Sequence, residues 1–420
     1  MIIQTGEPLE IDGGSPRPMR AMNLSAALVR NGHRVTIVSS RFYHQEKRHR
    51  DVDTIVRDGA TKTILLNSPG YTSHIGIARL WDHLVLGFKL NKFLENLTEV
   101  PDLLFVGYPP VEVGFFAVRW AKKNSVPTIL DVKDLWPDLF VEKVPTPLKS
   151  LARFCLFPYY RMSHLALRDA DAFAAMSKSY LKWMLDRSQR QKRKYDQVVG
   201  LAAPRPNNLS PSLLEAGKKW WTKEFNIDFS HKRRFLFAGS FMSVFDFTLV
   251  AEVFGELLAD GCDFDFVVSG RGPYENEIRN QLKSLPNVIY TGWIDYPKLV
   301  AISKGCSGAV IPYKKIENYQ INIPNKVVDS LSLGLPIISS TDGVIRDLIE
   351  NFSVGLYLDK NTVKRSTEEL KNYLYDRELN INKALKCSQI FEKSYSVDQV
   401  YRSLVLNIED IHSNFSERKI

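Results

Sequence analysis

The chain has 420 residues, 44% hydrophobic and 25% charged, and a formal net charge of +9. Those proportions fit a globular protein of one large or two ordinary domains and exclude a low-complexity chain. No charge-free apolar stretch reaches the roughly 18 residues that a membrane-spanning helix needs, and Met1 to Asp12 does not read as a signal peptide.

Alternating short apolar runs and helical periods predict a parallel-sheet α/β architecture. In chain order, the first series of strands is expected at Ile2–Thr5, Val35–Ser40, Thr63–Asn67, Leu103–Gly107, Thr128–Val132 and Ala172–Met176. Helices are expected at Pro18–Arg30, Arg79–Leu97 and Val111–Lys123. A turn-rich, partly basic stretch follows, with Pro204, Pro206 and Pro211. The second series is expected at Phe235–Ala238, Phe264–Ser269, Val288–Thr291, Gly308–Pro312, Pro336–Ser339 and Val354–Leu358. Its helices are expected at Asp246–Asp260, Pro273–Leu285, Tyr296–Ser303 and Asn325–Leu333. The pattern predicts a first domain over 1–190, a linker over 191–231, a second domain over 232–396, and a last helix over 397–420 returning to the first domain.

Charge and cysteine usage narrow the setting. Residues 1–200 carry 29 Lys+Arg against 20 Asp+Glu, a net +9, which leaves 27 against 27 in residues 201–420. One-sided positive charge implies an anionic partner such as a membrane surface, a nucleic acid or a phosphorylated substrate, or else a basic surface kept for solubility. No nucleic-acid reading element accompanies it. Cys155, Cys262, Cys306 and Cys387 are far apart. They form no CxxC pair, suit a reducing cytoplasm and read as small buried hydrophobes. Asp-x-Asp pairs at Asp51/Asp53, Asp169/Asp171 and Asp263/Asp265 read as chance rather than as metal ligands.

Four segments carry candidate chemistry. Gly13 and Gly14 lie between the first strand and first helix, where backbone amides can approach an anion or simply form a surface loop. Asp131 to Asp138 follows another strand. Asp131 and Asp134 sit where parallel sheets bind ligands, and Trp136 can stack on a sugar face. Gly239 and Ser240 end the first strand of the second series, and Arg271 stands between Gly270 and Gly272 after the next. Such an arginine can clamp a diphosphate or be a plain turn residue. In Asn322 to Pro336, Pro324 and Gly334 bound a short helix. Lys326 and Asp329, three apart, share its face, near Asn325 at the helix start. There a lysine can meet phosphate oxygens and a carboxylate can accept ribose hydroxyls; an exposed ion pair is the alternative.

On these residues the chain resembles the retaining GT-B glycosyltransferases of family 4, whose bacterial members build O-antigen, capsule and exopolysaccharide. Gly13-Gly14 is similar to the family's acceptor-side loop, and Arg20 to Thr36 is typical of the group. Asp131 to Pro137 is similar to a bacterial polysaccharide subgroup's Asp-x-Arg-Asp-Leu-Trp-Pro, with Lys133 for Arg. Gly270 to Pro273 resembles its Gly-x-Gly-Pro turn, and Pro324 through Asp329 to Pro336 its Pro-x-Lys-x-x-Glu…Gly-x-Pro motif. The sequence departs at two points: Ile321 stands where many members have a first glutamate, and Phe241 to Phe247 lacks their basic pair. Asn322 and Glu317 are candidates to replace that glutamate.

The resemblance implies two Rossmann-like domains facing each other across a cleft. It implies sugar transfer from a nucleotide donor, UDP by family expectation, to a lipid-linked or polysaccharide acceptor with retention. The site residues would be Asp134, Arg271 and Lys326 for catalysis; Gly239, Ser240, Arg271, Asn325, Lys326 and Asp329 for the donor; and Gly13, Gly14, Asp131 and Trp136 for the acceptor. No metal or other cofactor is expected. Pro147–Leu167 mixes Lys149, Arg153 and Arg161 with bulky apolar residues, which suits either an anionic membrane interface or a core helix at the domain hinge. Two other readings stay open: a nucleotide-sugar epimerase on the same fold, and a catalytically silent partner subunit.

Overall fold

The computed structural model describes residues 1–12, 18–53, 55–73, 76–142, 144–206, 209–230 and 233–417. Gly13 and Gly14 lie outside the described residues. The chain divides into two compact units, Met1–Gly200 with Tyr401–Ile420, and Leu201–Val400.

In the first unit the strands are β1 (Ile2–Ile3), β2 (Val35–Ser40), β3 (Phe42–Tyr43), β4 (Arg48–His49), β5 (Ile55–Asp58), β6 (Thr61–Leu66), β7 (Leu104–Tyr108), β8 (Thr128–Val132), β9 (Ala172–Ala175) and β10 (Gln197–Val198). Eight of them form one sheet in the order β10-β9-β8-β7-β1-β2-β6-β5. Only β5 runs antiparallel, while β3 and β4 form a separate antiparallel hairpin. β7, β8 and β9 are buried at every residue, the pattern of strands covered on both faces. Helices Ile77–Glu95 and Val111–Lys123 supply Leu86, Leu90, Val118 and Trp120 to that core.

The second unit contains β11 (Arg234–Ala238), β12 (Asp265–Ser269), β13 (Val288–Gly292), β14 (Gly308–Val310), β15 (Ile337–Ser339) and β16 (Gly355–Tyr357). All pair in parallel, in the order β13-β12-β11-β14-β15-β16. Its core is rich in phenylalanine: Phe254 lies 4.9 Å from Phe235 and 5.2 Å from both Phe264 and Phe266. Such ring pairs add about 0.5–1.5 kcal/mol each beyond area burial.

All twelve expected parallel strands form, within two residues at each end. Both sheets have the doubly-wound order, with the chain reversing direction beside the first strand. The reversal falls between β1 and β7 in one unit and between β11 and β14 in the other. Sequence periodicity gave no sign of β3, β4 and β5, which are short or lie at an edge.

Residues 191–231 hold more structure than a linker pattern suggests. Helix Pro211–Phe225 is capped by the Ser210 hydroxyl, and its Trp221 is fully buried, donating to the Lys298 carbonyl at 2.8 Å. The 147–167 segment folds as two helices, Lys149–Cys155 and Phe157–Asp169, with Pro158 in the first turn of the second, where its missing N–H removes nothing. The last helix, Val397–Glu417, joins the first unit from Tyr401 onward. Glu409 there pairs with His33 at 2.8 Å and Asp410 with Lys194 at 2.7 Å. Three cysteines are buried as expected. Cys155 is exposed instead, on a seven-residue helix that buries none of its side chains.

Candidate active site

The carboxyl ends of β11, β12 and β13 each carry glycine, and the loops pack backbone against backbone. Gly239 has φ +148, and a methyl group there would overlap the Lys326 ammonium. Gly270, with φ +156, presses on the Gly239 carbonyl, where any Cβ would clash. The loop pairing is ordered: Gly239 N–H donates to Ser269 O at 2.9 Å, Gly270 N–H to Gly292 O at 2.8 Å and Phe241 N–H to Arg271 O at 2.9 Å. The Gly239 amide is therefore committed to the protein and not aimed at a phosphate. The role of Gly239 is to make room for Lys326. Arg271 is exposed, with its guanidinium against Gly292, and Ser240 is exposed beside it.

Lys326 belongs to helix Asn325–Ser332, which starts after Pro324 in an extended conformation. Its ammonium donates to the Ala238 carbonyl and lies 4.6 Å from the Phe237 ring centre. The second-unit cation expected from sequence thus stands at the carboxyl end of β11, beside the strand-order reversal. The helix's first turn leaves N–H groups without intrahelical acceptors, and its dipole favours an anion there. Asn325 is exposed at this end; Asp329, one turn on, is half-buried.

Tyr313, Tyr319 and Thr341, which spacing did not flag, lie beside this helix. Tyr313 and Tyr319 stack at 4.2 Å and 19°. Burial pushes the Tyr313 phenol well above its usual range, with the negative field of Asp329 adding to it. The buried Thr341 hydroxyl lies 3.1 Å from the Tyr313 carbonyl and ties β15's end to β14's. Asn322 is half-buried and extended between helix Glu317–Ile321 and helix Asn325–Ser332.

The first unit's carboxyl edge is built from buried charge. Asp131, at the end of β8, is 0% exposed and lies 3.3 Å from Arg20 and 3.6 Å from Lys133. Lys133 also pairs with Glu7, whose carboxylate accepts the Ala21 N–H at 2.9 Å in the first turn of helix Arg20–Arg30. Arg20 in turn donates to the Val199 carbonyl at 2.7 Å. Asp131 was expected to meet an acceptor; it is an internal counter-ion instead, closed off by two cations. Trp136 was expected to stack on a sugar, yet it is 4% exposed. Phe140 packs on it at 4.4 Å, His83 at 5.4 Å and the Arg79 guanidinium at 4.8 Å, so neither face is open. Asp134 is exposed in the same loop. Trp136–Pro137 is a cis peptide, as are the two bonds of Tyr108–Pro109–Pro110.

Two groups behind this edge are strongly shifted. Burial, helped by Arg79 and His44, lowers His83 to about 3, so it is neutral at physiological pH. Burial raises Glu112 to about 7, although the Tyr159 hydroxyl donates to it. Among the described residues no group of three or more His, Cys, Asp or Glu is placed to hold a metal ion. Two of the Asp-x-Asp pairs serve structure: Asp171 accepts from Thr128 N–H at 2.8 Å, and Asp265 pairs with Arg234 at 2.7 Å. No helix among the described residues is long and apolar enough to cross a membrane.

Comparison with known proteins places both units. Residues 18–198 match the family described as glycosyl transferase 4-like domain, and residues 232–376 match glycosyl transferases group 1. No curated protein sequence matches the chain. Similar solved structures include sucrose-phosphate synthase from Thermosynechococcus elongatus, with TM-score 0.64, 12% identity and 98% of each chain covered. HepE from Anabaena, solved with UDP and glucose, gives 0.61 at 12% identity over 97% of this chain and 98% of that one. WaaG, a glycosyltransferase involved in lipopolysaccharide biosynthesis, gives 0.60 at 11% identity over 96% and 98%.

Proposed function

Since the chain is a glycosyltransferase of the GT-B type, we propose that it transfers a hexosyl or N-acetylhexosaminyl group from a UDP-sugar to a lipid-linked or polysaccharide acceptor, with retention, in cell-surface polysaccharide assembly. One observation carries the donor half of this reading: the Lys326 ammonium at the carboxyl end of β11, with Asp329 one helical turn away. That pair suits a diphosphate and a ribose. HepE holding UDP in the same fold supports uridine.

The leaving diphosphate gains charge as the sugar–phosphate bond breaks. Lys326, Arg271, the Ser240 hydroxyl and the leading amides of helix Asn325–Ser332 neutralise it. These charges belong to the protein, so turnover needs no metal ion. Asp134, exposed in the first unit, accepts a hydrogen bond from the attacking acceptor hydroxyl, and the Gly13-Gly14 loop supports the acceptor. The attacking and leaving oxygens share one face of the sugar, which retains its configuration without a protein nucleophile.

The acceptor side docks on the cytoplasmic face of a membrane. Leu151, Phe154 and Phe157 are 59%, 79% and 62% exposed on the two helices that also carry Lys149, Arg153 and Arg161. Apolar anchors beside cations suit an anionic leaflet, where each cation contributes about 1 kcal/mol. Sedimentation with anionic vesicles at low salt checks this. Binding is expected, and Phe154→Ser with Phe157→Ser is expected to weaken it by about tenfold; no binding by the wild type rejects it.

A thermal-shift series with UDP, GDP, ADP, CMP and dTDP tests the donor assignment. Saturation at 100 times the dissociation constant stabilises by about 2.7 kcal/mol. UDP alone is expected to raise Tm, and Asp329→Ala to abolish the rise. No shift with any nucleotide would make a silent partner subunit the better reading. Conversion of the UDP-sugar into an epimeric UDP-sugar with no acceptor present would favour an epimerase.

A further inference from the structure

The first unit has a cavity of about 800 Å³ at the amino edge of its sheet. Parallel strands begin there, with Val35 opening β2, Thr61 opening β6 and Leu103 just before β7. Asp134, which follows β8, lies at the other, carboxyl edge. The volume falls within the roughly 300–1,000 Å³ of small-molecule sites. Besides the strand ends, the walls are the β5–β6 turn at Gly59 and Ala60, the loop 99–103, and the last helix at Ile408, Glu409, His412 and Ser413. That part of the last helix belongs to the first unit, so the cavity is formed within one unit.

Part of the lining is apolar and buried: Leu28, Val35, Leu103, Phe105 and Ile408. Among the described residues, each carboxylate lining the cavity has a basic neighbour. Glu409 lies 2.8 Å from His33, Glu99 3.5 Å from Arg34 and Asp102 3.9 Å from His412. Two lining cations differ from these. Arg57, exposed, and Lys62, half-buried, stand directly opposite each other in the antiparallel pairing of β5 with β6. Opposed residues point to one face of the sheet, and like charges there repel. Among the described residues neither side chain makes a hydrogen bond or an ion pair. The two-residue turn, with Gly59 at φ +52, fixes this register, so slippage cannot relieve the repulsion. An anion placed against both side chains can.

We infer that this cavity binds a sugar phosphate, with Arg57 and Lys62 on the phosphate and the sugar ring against the apolar lining. Two unpaired positive charges are matched by a dianion. A phosphate monoester comes close to that at neutral pH, its second pKa being ~6, whereas a carboxylate offsets only one charge. The arginine fork can take two phosphate oxygens and the lysine a third. Glu409 and Asp102 can accept hydrogen bonds from sugar hydroxyls. The donor and acceptor residues proposed above lie at the carboxyl edges, so the ligand of this amino-edge cavity is an effector and not a substrate.

Calorimetric titration of the full chain with glucose 1-phosphate tests the site. The wild type is expected to bind it, and to keep a binding site when Lys326→Ala and Arg271→Ala remove the second unit's cations. Adding Arg57→Gln/Lys62→Gln to that background is expected to weaken binding by about tenfold or more. Glucose and inorganic phosphate, each offering half of the ligand, are expected to bind at least tenfold more weakly than glucose 1-phosphate. Arg57→Glu separates binding from folding. It replaces the cross-strand repulsion with an ion pair to Lys62, so Tm without ligand should hold or rise while glucose 1-phosphate binding in the Lys326→Ala/Arg271→Ala background is lost. No binding of glucose 1-phosphate by the wild type overturns the inference. So does unchanged affinity in Arg57→Gln/Lys62→Gln or Arg57→Glu, or equal affinity for glucose or for inorganic phosphate. None of these titrations uses UDP or an acceptor, so a failure of the transferase reading leaves their outcome as it is.

Discussion

The two units share a strand order but finish their carboxyl edges by opposite means. The second lines its edge with glycine, bringing backbone against backbone and leaving space for one lysine. The first fills its edge with long side chains, some locked in the buried Arg20–Asp131–Lys133–Glu7 network and others, His44, Lys47 and Arg79, gathered around Tyr71. The difference shows why strand order alone does not define a site. The first edge is set by which side chains pair there, whereas the second is fixed by where a Cβ cannot fit.

The sharpest way to break this comparison is at the second edge. Lys326→Ala and Arg271→Ala each remove a diphosphate donor, a loss of about 2.7–4 kcal/mol in barrier, so turnover should fall roughly 10²–10³-fold with thermal unfolding unchanged. Gly270→Ala should lower turnover by about 10²-fold, because its methyl displaces the Gly239 carbonyl and with it the lysine, and should lower Tm as well. Near-wild-type kinetics in all three would mean that this edge does not hold the donor.

A smaller effect belongs to the first unit alone. Glu112 is buried, with a folded pKa raised to about 7 from an ordinary 4.5. A raised acid pKa means the folded state keeps a proton that the unfolded state releases. Stability is therefore highest at low pH for this group and falls as pH rises from about 4.5 to 7, by about 2–3 kcal/mol. Glu112→Gln keeps an acceptor for Tyr159 and removes the titration. Denaturant unfolding between pH 5 and 7.5 should show the variant gaining stability over wild type as pH rises; parallel curves would place the proton elsewhere.

How much of this was legible depends on how far along the chain each cause lies. Lys326 and Asp329 share a face because they are three apart on one helix, and that is written locally. The strands were legible because parallel strands buried on both faces are short apolar runs. Asp131 and Trp136 also end up on the expected loop, but their burial is imposed by Arg20, Lys133, Arg79 and Phe140. No local pattern reveals which side of a loop is covered. The Tyr71 group was invisible for the same reason, as it draws one or two residues from each of several loops.

By itself, the sequence determined two α/β series, their glycine-bearing loops and a cation–carboxylate pair on one helix face, because periodicity, capping and i,i+3 spacing act within a few residues. Only the tertiary structure decided that Gly239 makes room for Lys326 rather than offering its amide, that Asp131 faces inward, and that Lys47 and Arg79 gather at one ring. Each of these depends on which distant segment fills the adjacent volume, and close packing settles that only once the sheet has been assembled.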